Sequence, residues 1–211
     1  MSRTFIHDAM IEPDMSRLRA VYIVGPSSTG KTTLCNALAK RLCLPTSMHI
    51  TEVARTVMKE QGYTRADVDS YSMQHAIMTA QVAKDQEARL QASVEPRQPM
   101  LVSDRSAVDA VVYAALSDIK TKSNSTQLLI ASPEFQTVLP LYRSPRSTFV
   151  LLRPIKGWLV DDGVRSLEDG EHCYDTFVKL LRELNIPYVE LGESCRWLEE
   201  RVGVVLRQLG I

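Results

Sequence analysis

Aromatic residues make up only 6% of this 211-residue chain, and neither sign of charge is in excess. Lys plus Arg and Asp plus Glu both number 25, so no global field draws in nucleic acid or acidic membrane. Only a local basic patch would serve a polyanion. No run approaches the roughly 18 consecutive apolar residues of a membrane-spanning helix. The first twenty residues mix both signs of charge and lack an apolar stretch, so they do not read as a secretory signal. Cys35, Cys43, Cys173 and Cys195 are scattered, with no CxxC and no metal-ligand spacing. They read as buried or half-buried thiols in a reducing, cytoplasmic compartment. The histidines are isolated as well, and His49, His75 and His172 read as surface or core-edge residues. What is plentiful is hydrophobic residues, at 45%, enough for a core without disulfides or metals.

The apolar residues are ordered in a recognisable way. Ala20–Gly25 is too apolar for a half-exposed strand and suits one covered on both faces of a parallel sheet. Leu34, Leu38 and Leu42 then recur at helical spacing, and Pro45 ends that helix. A second strand is expected near Met48–Ile50, and a helix over 51–61 is stopped by Gly62. A long helix is expected from Tyr71 to about Ser93, with Met73, Ala76, Ile77, Ala80, Ala83, Glu87 and Leu90 along one face. Met100–Asp104 reads as the third strand, followed by a helix. Ser117–Thr126 is polar and reads as a mobile loop. Ser132 and Pro133 mark a helix start, and Ser147–Pro154 a fourth strand. A helix near 171–184, the strand IPYVEL and a last helix from Ser194 complete the chain. Alternating strands and helices predict a single α/β domain over 20–211, behind a polar lead-in at 1–19.

Gly25-Pro26-Ser27-Ser28-Thr29-Gly30-Lys31-Thr32 matches GxxxxGK[ST]. Average residue frequencies would produce the pattern in roughly one chain in a hundred of this size. Here it also leaves a buried strand and opens an amphipathic helix, the context that the chemistry requires. The glycines let the loop curl so that backbone N–H groups face a phosphate. Gly25, Ser27, Ser28, Thr29, Gly30, Lys31, Thr32 and Thr33 form the expected cradle. Lys31 reaches the β- and γ-phosphates, the Thr32 hydroxyl ligates Mg²⁺, and the helix dipole attracts the same anion. The expected cofactors are therefore ATP or GTP with Mg²⁺.

Asp104 closes the third strand at the edge where the loop lies, which suits a second Mg²⁺ ligand; the other reading is a cap on the next helix. Arg105 would project over the same crevice, where its fork suits a phosphate or an acceptor hydroxyl, and Asp109 is placed to pair with it. Glu52, at the end of the second strand, is positioned to orient or deprotonate an acceptor hydroxyl, with Arg55 beside it on the same helix face. The other reading of Glu52 is a helix-start carboxylate. Lys31, Glu52, Asp104 and Arg165 are the candidate catalytic residues, and Glu52, Arg55 and Arg105 the candidate acceptor contacts. Arg165 is singled out by a change in charge pattern. Phe135–Val160 holds four basic residues and no acid, after which Asp161, Asp162, Arg165, Glu168, Asp169 and Glu171 arrive within eleven residues. Such a segment suits a lid over the phosphates.

Together GPSSTGKTTL, TEVARTVMKE, QHAIMTAQ, LVSDRSAVDAVVYA and WLVDDGVRSLED resemble the AAA-type P-loop kinases of the ribosylnicotinamide kinase group. That group occurs as the C-terminal domain of bifunctional NadR proteins and as stand-alone eukaryotic ATP/GTP-binding relatives. The resemblance covers about residues 20 to 210. It implies a P-loop NTPase fold with a nucleotide-kinase-like sheet of order 2-3-1-4-5, and a lid at about 154–171 containing Asp161, Asp162 and Arg165. It also implies a kinase acting on a small, nucleoside-like acceptor. With only about 20 residues before the phosphate loop, no counterpart of the adenylyltransferase half of NadR is expected, and nicotinamide-nucleotide synthesis is not implied.

Two other functions compete with a small-molecule kinase. One is a regulatory nucleotide-binding protein; a Ras-type switch is disfavoured because Asp104-Arg-Ser-Ala lacks D-x-x-G and Thr121-Lys-Ser-Asn lacks the guanine clamp. The other is a polynucleotide 5′-hydroxyl kinase, with Arg143, Arg146 and Arg153 in a basic channel. Neutral overall charge weighs against it.

Overall fold

The computed structural model describes residues 17–95, 99–155 and 167–211, with side chains of the last stretch described from Gly170 onward. The expected lid residues Asp161, Asp162 and Arg165, and nearly all of the lead-in, lie outside this set.

Among the described residues five parallel strands form one sheet, β1 (Arg19–Val24), β2 (His49–Ile50), β3 (Met100–Asp104), β4 (Ser147–Leu152) and β5 (Tyr188–Leu191), in the order β2-β3-β1-β4-β5. The helices are α1 (Lys31–Arg41), α2 (Val53–Gln61), α3 (Tyr71–Ser93), α4 (Ala107–Thr121), α5 (Ser125–Ala131), α6 (Pro133–Arg143), α7 (Leu167–Glu183) and α8 (Leu198–Gln208). This is the fold of P-loop NTPases and nucleotide kinases.

β1 occupies the centre, which explains its lack of polar residues. Ala20, Tyr22 and Val24 enter the core shared with α3, α4, α6 and α7, while Val21 and Ile23 face α1 and α8. Each fully buried aliphatic side chain contributes roughly 1.5–3 kcal/mol. Tyr22 also carries a polar network into that core. Its hydroxyl lies 2.8 Å from Asp85 Oδ1, Arg89 Nη2 donates to it at 2.6 Å, and Arg89 Nε donates to Asp85 at 3.1 Å. The two charges are buried but fully hydrogen-bonded to each other and to the phenol, which is what makes their burial tolerable. Burial raises the Asp85 carboxyl above its ordinary range.

The same network corrects the expected face of α3. Gln74, Met78, Gln81, Asp85, Ala88, Arg89 and Ala92 are buried, while Ala83, Glu87 and Leu90 face solvent. The segment 117–126 is also more ordered than its polarity suggests. α4 continues to Thr121, Lys122 turns at φ +54°, and the Asp118 carboxylate accepts from Ser125 N at 3.0 Å and Thr126 N at 2.9 Å, capping α5. Of the cysteines, Cys43 is exposed, at φ +53° just past α1, and the other three are buried.

Candidate phosphate and acceptor site

The C-terminal ends of β1, β2 and β3 converge on one edge, and the candidate residues gather there. Gly25 leaves β1 at φ +136°, and a Cβ at this position would lie 2.6 Å from the Leu152 carbonyl oxygen of β4. Backbone conformation and space thus both require glycine. Ser28 (φ +61°) and Gly30 (φ +86°) complete the curl. Gly30 is the N-cap of α1, and neither a capping side chain nor an acid in the first turn competes there for an incoming anion. Thr29 Oγ1 donates to Pro26 O at 2.9 Å, and the Lys31 ammonium donates to the same carbonyl. Burial, followed by the Arg105 guanidinium, lowers the Lys31 ammonium to about 7.

Asp104 meets α1 directly. Thr32 Oγ1 donates to Asp104 Oδ2 at 2.6 Å, and the other carboxylate oxygen is buried with no hydrogen-bond partner among the described residues. Asp104 does not cap α4. That part is taken by Ser106, whose hydroxyl accepts from Val108 N at 3.2 Å while Asp109 accepts from Ser106 N at 2.9 Å. A hydroxyl beside a carboxylate with an unused oxygen is a hard-oxygen pair that fits Mg²⁺.

Arg105 sits at φ +81°, strained for a residue with a side chain. Its N–H donates to Ile23 O of β1 at 3.0 Å, and its carbonyl accepts from Ser103 Oγ at 2.7 Å. Gln81, buried on α3, donates to Ser103 Oγ at 3.0 Å. Held this way, the guanidinium reaches Asp109 Oδ1 at 3.1 Å and Glu52 Oε1 at 3.4 Å. Glu52 also meets Arg55 at 3.0 Å, so its carboxylate lies between two cations. Burial raises the Asp109 carboxyl, with Arg105 and Lys31 opposing. A cavity of about 250 Å³ opens beside Glu52, lined also by Thr46, Ser47, His49, Thr51 and Thr56.

The structure therefore brings together Lys31, Thr32, Asp104, Arg105 and Asp109, and joins Glu52 and Arg55 to them. The three arginines of the expected basic channel are not brought together. Arg146 precedes β4 and Arg153 follows it, at opposite edges of the sheet. Arg143 is spent on the Leu184 carbonyl at 2.7 Å, and Arg153 lies over the Tyr174 ring at 4.9 Å.

Three contributors escaped the sequence reading. Tyr113 of α4 reaches Ser27 of the loop, hydroxyl to hydroxyl at 3.4 Å. Gln81 steadies the Arg105 backbone. Arg201 of α8 is 2% exposed and lies behind the loop, donating from Nη1 to Thr29 O at 2.9 Å and from Nε to Cys195 O at 2.9 Å. A signal for it existed, since Leu198, Arg201, Val202, Val205 and Leu209 share one helical stripe.

Comparison with known proteins places this geometry in context. A family model described as an AAA domain matches residues 20–201. The NadR protein solved in complex with NR is similar at 21% identity and a TM-score of 0.59, covering 93% of this chain and 53% of that one. The chain thus spans about half the length of the NadR chain it matches. Deoxyadenosine kinase from M. mycoides, with bound dATP, is similar at 14% identity and a TM-score of 0.59, covering 92% of this chain and 100% of that one. No curated protein matches the chain.

Proposed function

This chain belongs to the AAA domain family, within the P-loop kinases and NTPases, and on that premise we propose that it is a kinase. It transfers the γ-phosphoryl group of ATP to a hydroxyl of a small, nucleoside-like acceptor. The observation that carries this reading is the Glu52–Arg105–Asp109 chain of ion pairs beside the phosphate loop, with a cavity opening at Glu52. A protein that only binds nucleotide has no need of a carboxylate held between two cations at the mouth of a cavity beside the phosphate loop. The NadR structure in complex with NR and the deoxyadenosine kinase structure with bound dATP support a nucleoside-like acceptor on this fold.

The parts divide as follows. The loop from Gly25 to Thr33 and the N-terminus of α1 hold the triphosphate, with Lys31 on the β- and γ-phosphates. Thr32 and the unpartnered oxygen of Asp104 would hold Mg²⁺, which neutralises phosphate charge when bound. Glu52 accepts a hydrogen bond from the acceptor hydroxyl and orients it for attack. Arg105, fixed by Asp109 and its strained backbone, sets the position of Glu52 and adds positive charge near the phosphates. Arg165, which lies outside the described residues, is the proposed lid cation. Incubation with labelled ATP and panels of nucleosides, sugars and oligonucleotides tests this reading. Transfer to a nucleoside or sugar hydroxyl is the expected result, and absence of transfer to every acceptor would overturn it.

A further inference from the structure

Asp104 Oδ1 and His49 Nε2 are both buried without a hydrogen-bond partner among the described residues. The two residues belong to neighbouring strands. β2 and β3 run parallel, with His49 paired to Val102 and Ile50 to Ser103. Paired residues of adjacent strands project to the same face, and so do residues two apart along one strand. His49, Val102 and Asp104 therefore share a face. Val102 packs with Leu34, Cys35 and Leu38, so it is the face that α1 covers. Ile50 projects the other way, into the core with Met78 and Val82 of α3.

A buried ring nitrogen without a partner is costly, and an apolar side chain would fill the same place without that cost. The two orphaned atoms do not satisfy each other. The Asp104 carboxylate nevertheless acts on the ring: burial lowers the His49 imidazole, and Asp104 is the charge that opposes this. A neutral ring keeps one nitrogen as an acceptor. Mg²⁺ on a few oxygen ligands retains several waters, and waters on a cation are strong donors.

We propose that His49 is a positioning residue of the metal site, its Nε2 accepting a hydrogen bond from a water on the Mg²⁺ held by Asp104 and Thr32. The inference rests on the metal role proposed for Asp104 and extends that site to a third element, β2. It gives both orphaned atoms a partner at once, which a packing role for His49 does not. Glu52 follows three residues later, so one short segment serves both the metal and the acceptor hydroxyl.

Electron paramagnetic resonance of Mn²⁺, which suits the same oxygen ligands as Mg²⁺, tests this with the non-hydrolysable analogue AMP-PNP bound. His49→Phe should weaken Mn²⁺ binding to the complex by at least about tenfold, the scale for groups that orient a metal site from outside its ligands. AMP-PNP binding in EDTA should stay unchanged. His49→Ala, which adds no bulk, removes the same acceptor and should behave alike. His49→Gln returns an acceptor oxygen and should recover part of the Mn²⁺ affinity. His49 is half-buried on a two-residue edge strand, so circular dichroism should show an intact fold. Wild-type Mn²⁺ affinity in both the Phe and Ala variants, with loss in Asp104→Asn, would overturn the inference and leave the metal site standing. Wild-type affinity in Asp104→Asn would remove the metal site itself. Equal losses with and without EDTA at His49 would assign it to packing, and a directly bonded ¹⁴N coupling in the wild type would overturn the contact through water.

Discussion

The Thr32 hydroxyl and the Asp104 carboxylate meet at 2.6 Å, tying the first turn of α1 to the end of β3 and leaving one Asp104 oxygen without a partner. A carboxylate whose purpose is only to anchor Thr32 would be replaceable by an amide, which can still accept that bond. A metal ligand would not. Asp104→Asn should therefore weaken ATP binding in the presence of Mg²⁺ by about 10–100-fold, the range for disturbed metal sites. Binding measured in EDTA should change little. Equal losses under both conditions would assign Asp104 to scaffolding.

Lys31 gives a prediction with a defined sign. Burial holds its ammonium down to about 7 in the free protein, so above that pH the free side chain is largely neutral. Triphosphate favours the charged form and raises the bound value. Binding at about pH 8 should then take up close to one proton, and affinity should fall as pH rises above about 7. Calorimetry in two buffers of different ionisation enthalpy reads this directly. Identical heats in both buffers would contradict it.

The phosphate loop was legible because its residue types answer to backbone geometry, which a single sequence records. β1 was legible because a central parallel strand is covered on both faces. The helix faces were less so. On α3 the buried stripe contains Gln81, Asp85 and Arg89, each made tolerable by a partner from another element, such as Tyr22 or Ser103. Apolar periodicity cannot see a polar residue whose burial depends on a partner distant in sequence. Arg201 was hidden for the same reason, although its apolar neighbours marked the stripe. The segment 117–126 misled in another way: its polar side chains cap helices here, where composition suggested a loop.

Gly25 and Gly62 separate crowding from backbone strain. Both have positive φ, +136° and +74°, but a Cβ at Gly62 meets nothing within 4 Å, whereas one at Gly25 meets the Leu152 carbonyl oxygen. Gly62→Ala should lower stability by about 1 kcal/mol in urea unfolding. Gly25→Ala adds a collision with β4 backbone and should cost at least about 3 kcal/mol. Similar losses at both positions would mean that the loop shifts to make room.

Arg201 allows support of the loop to be distinguished from general support of the fold. Its guanidinium bonds one carbonyl of the phosphate loop, at Thr29, and one before α8, at Cys195. Arg201→Met keeps the length of the side chain and its packing but leaves both carbonyls without this donor. Unsatisfied buried acceptors cost about 1–3 kcal/mol each, so some loss of stability is expected in any case. A brace on the loop predicts more than that. Well below the melting temperature, where the variant is fully folded, ATP affinity should still fall by about tenfold, because Thr29 is free to move within the cradle. Arg201→Lys can restore one of the two bonds and should recover part of the affinity. Titration calorimetry on folded protein, with thermal unfolding in parallel, separates the two effects. A variant that is less stable but binds ATP as tightly as the wild type would assign Arg201 to the core alone.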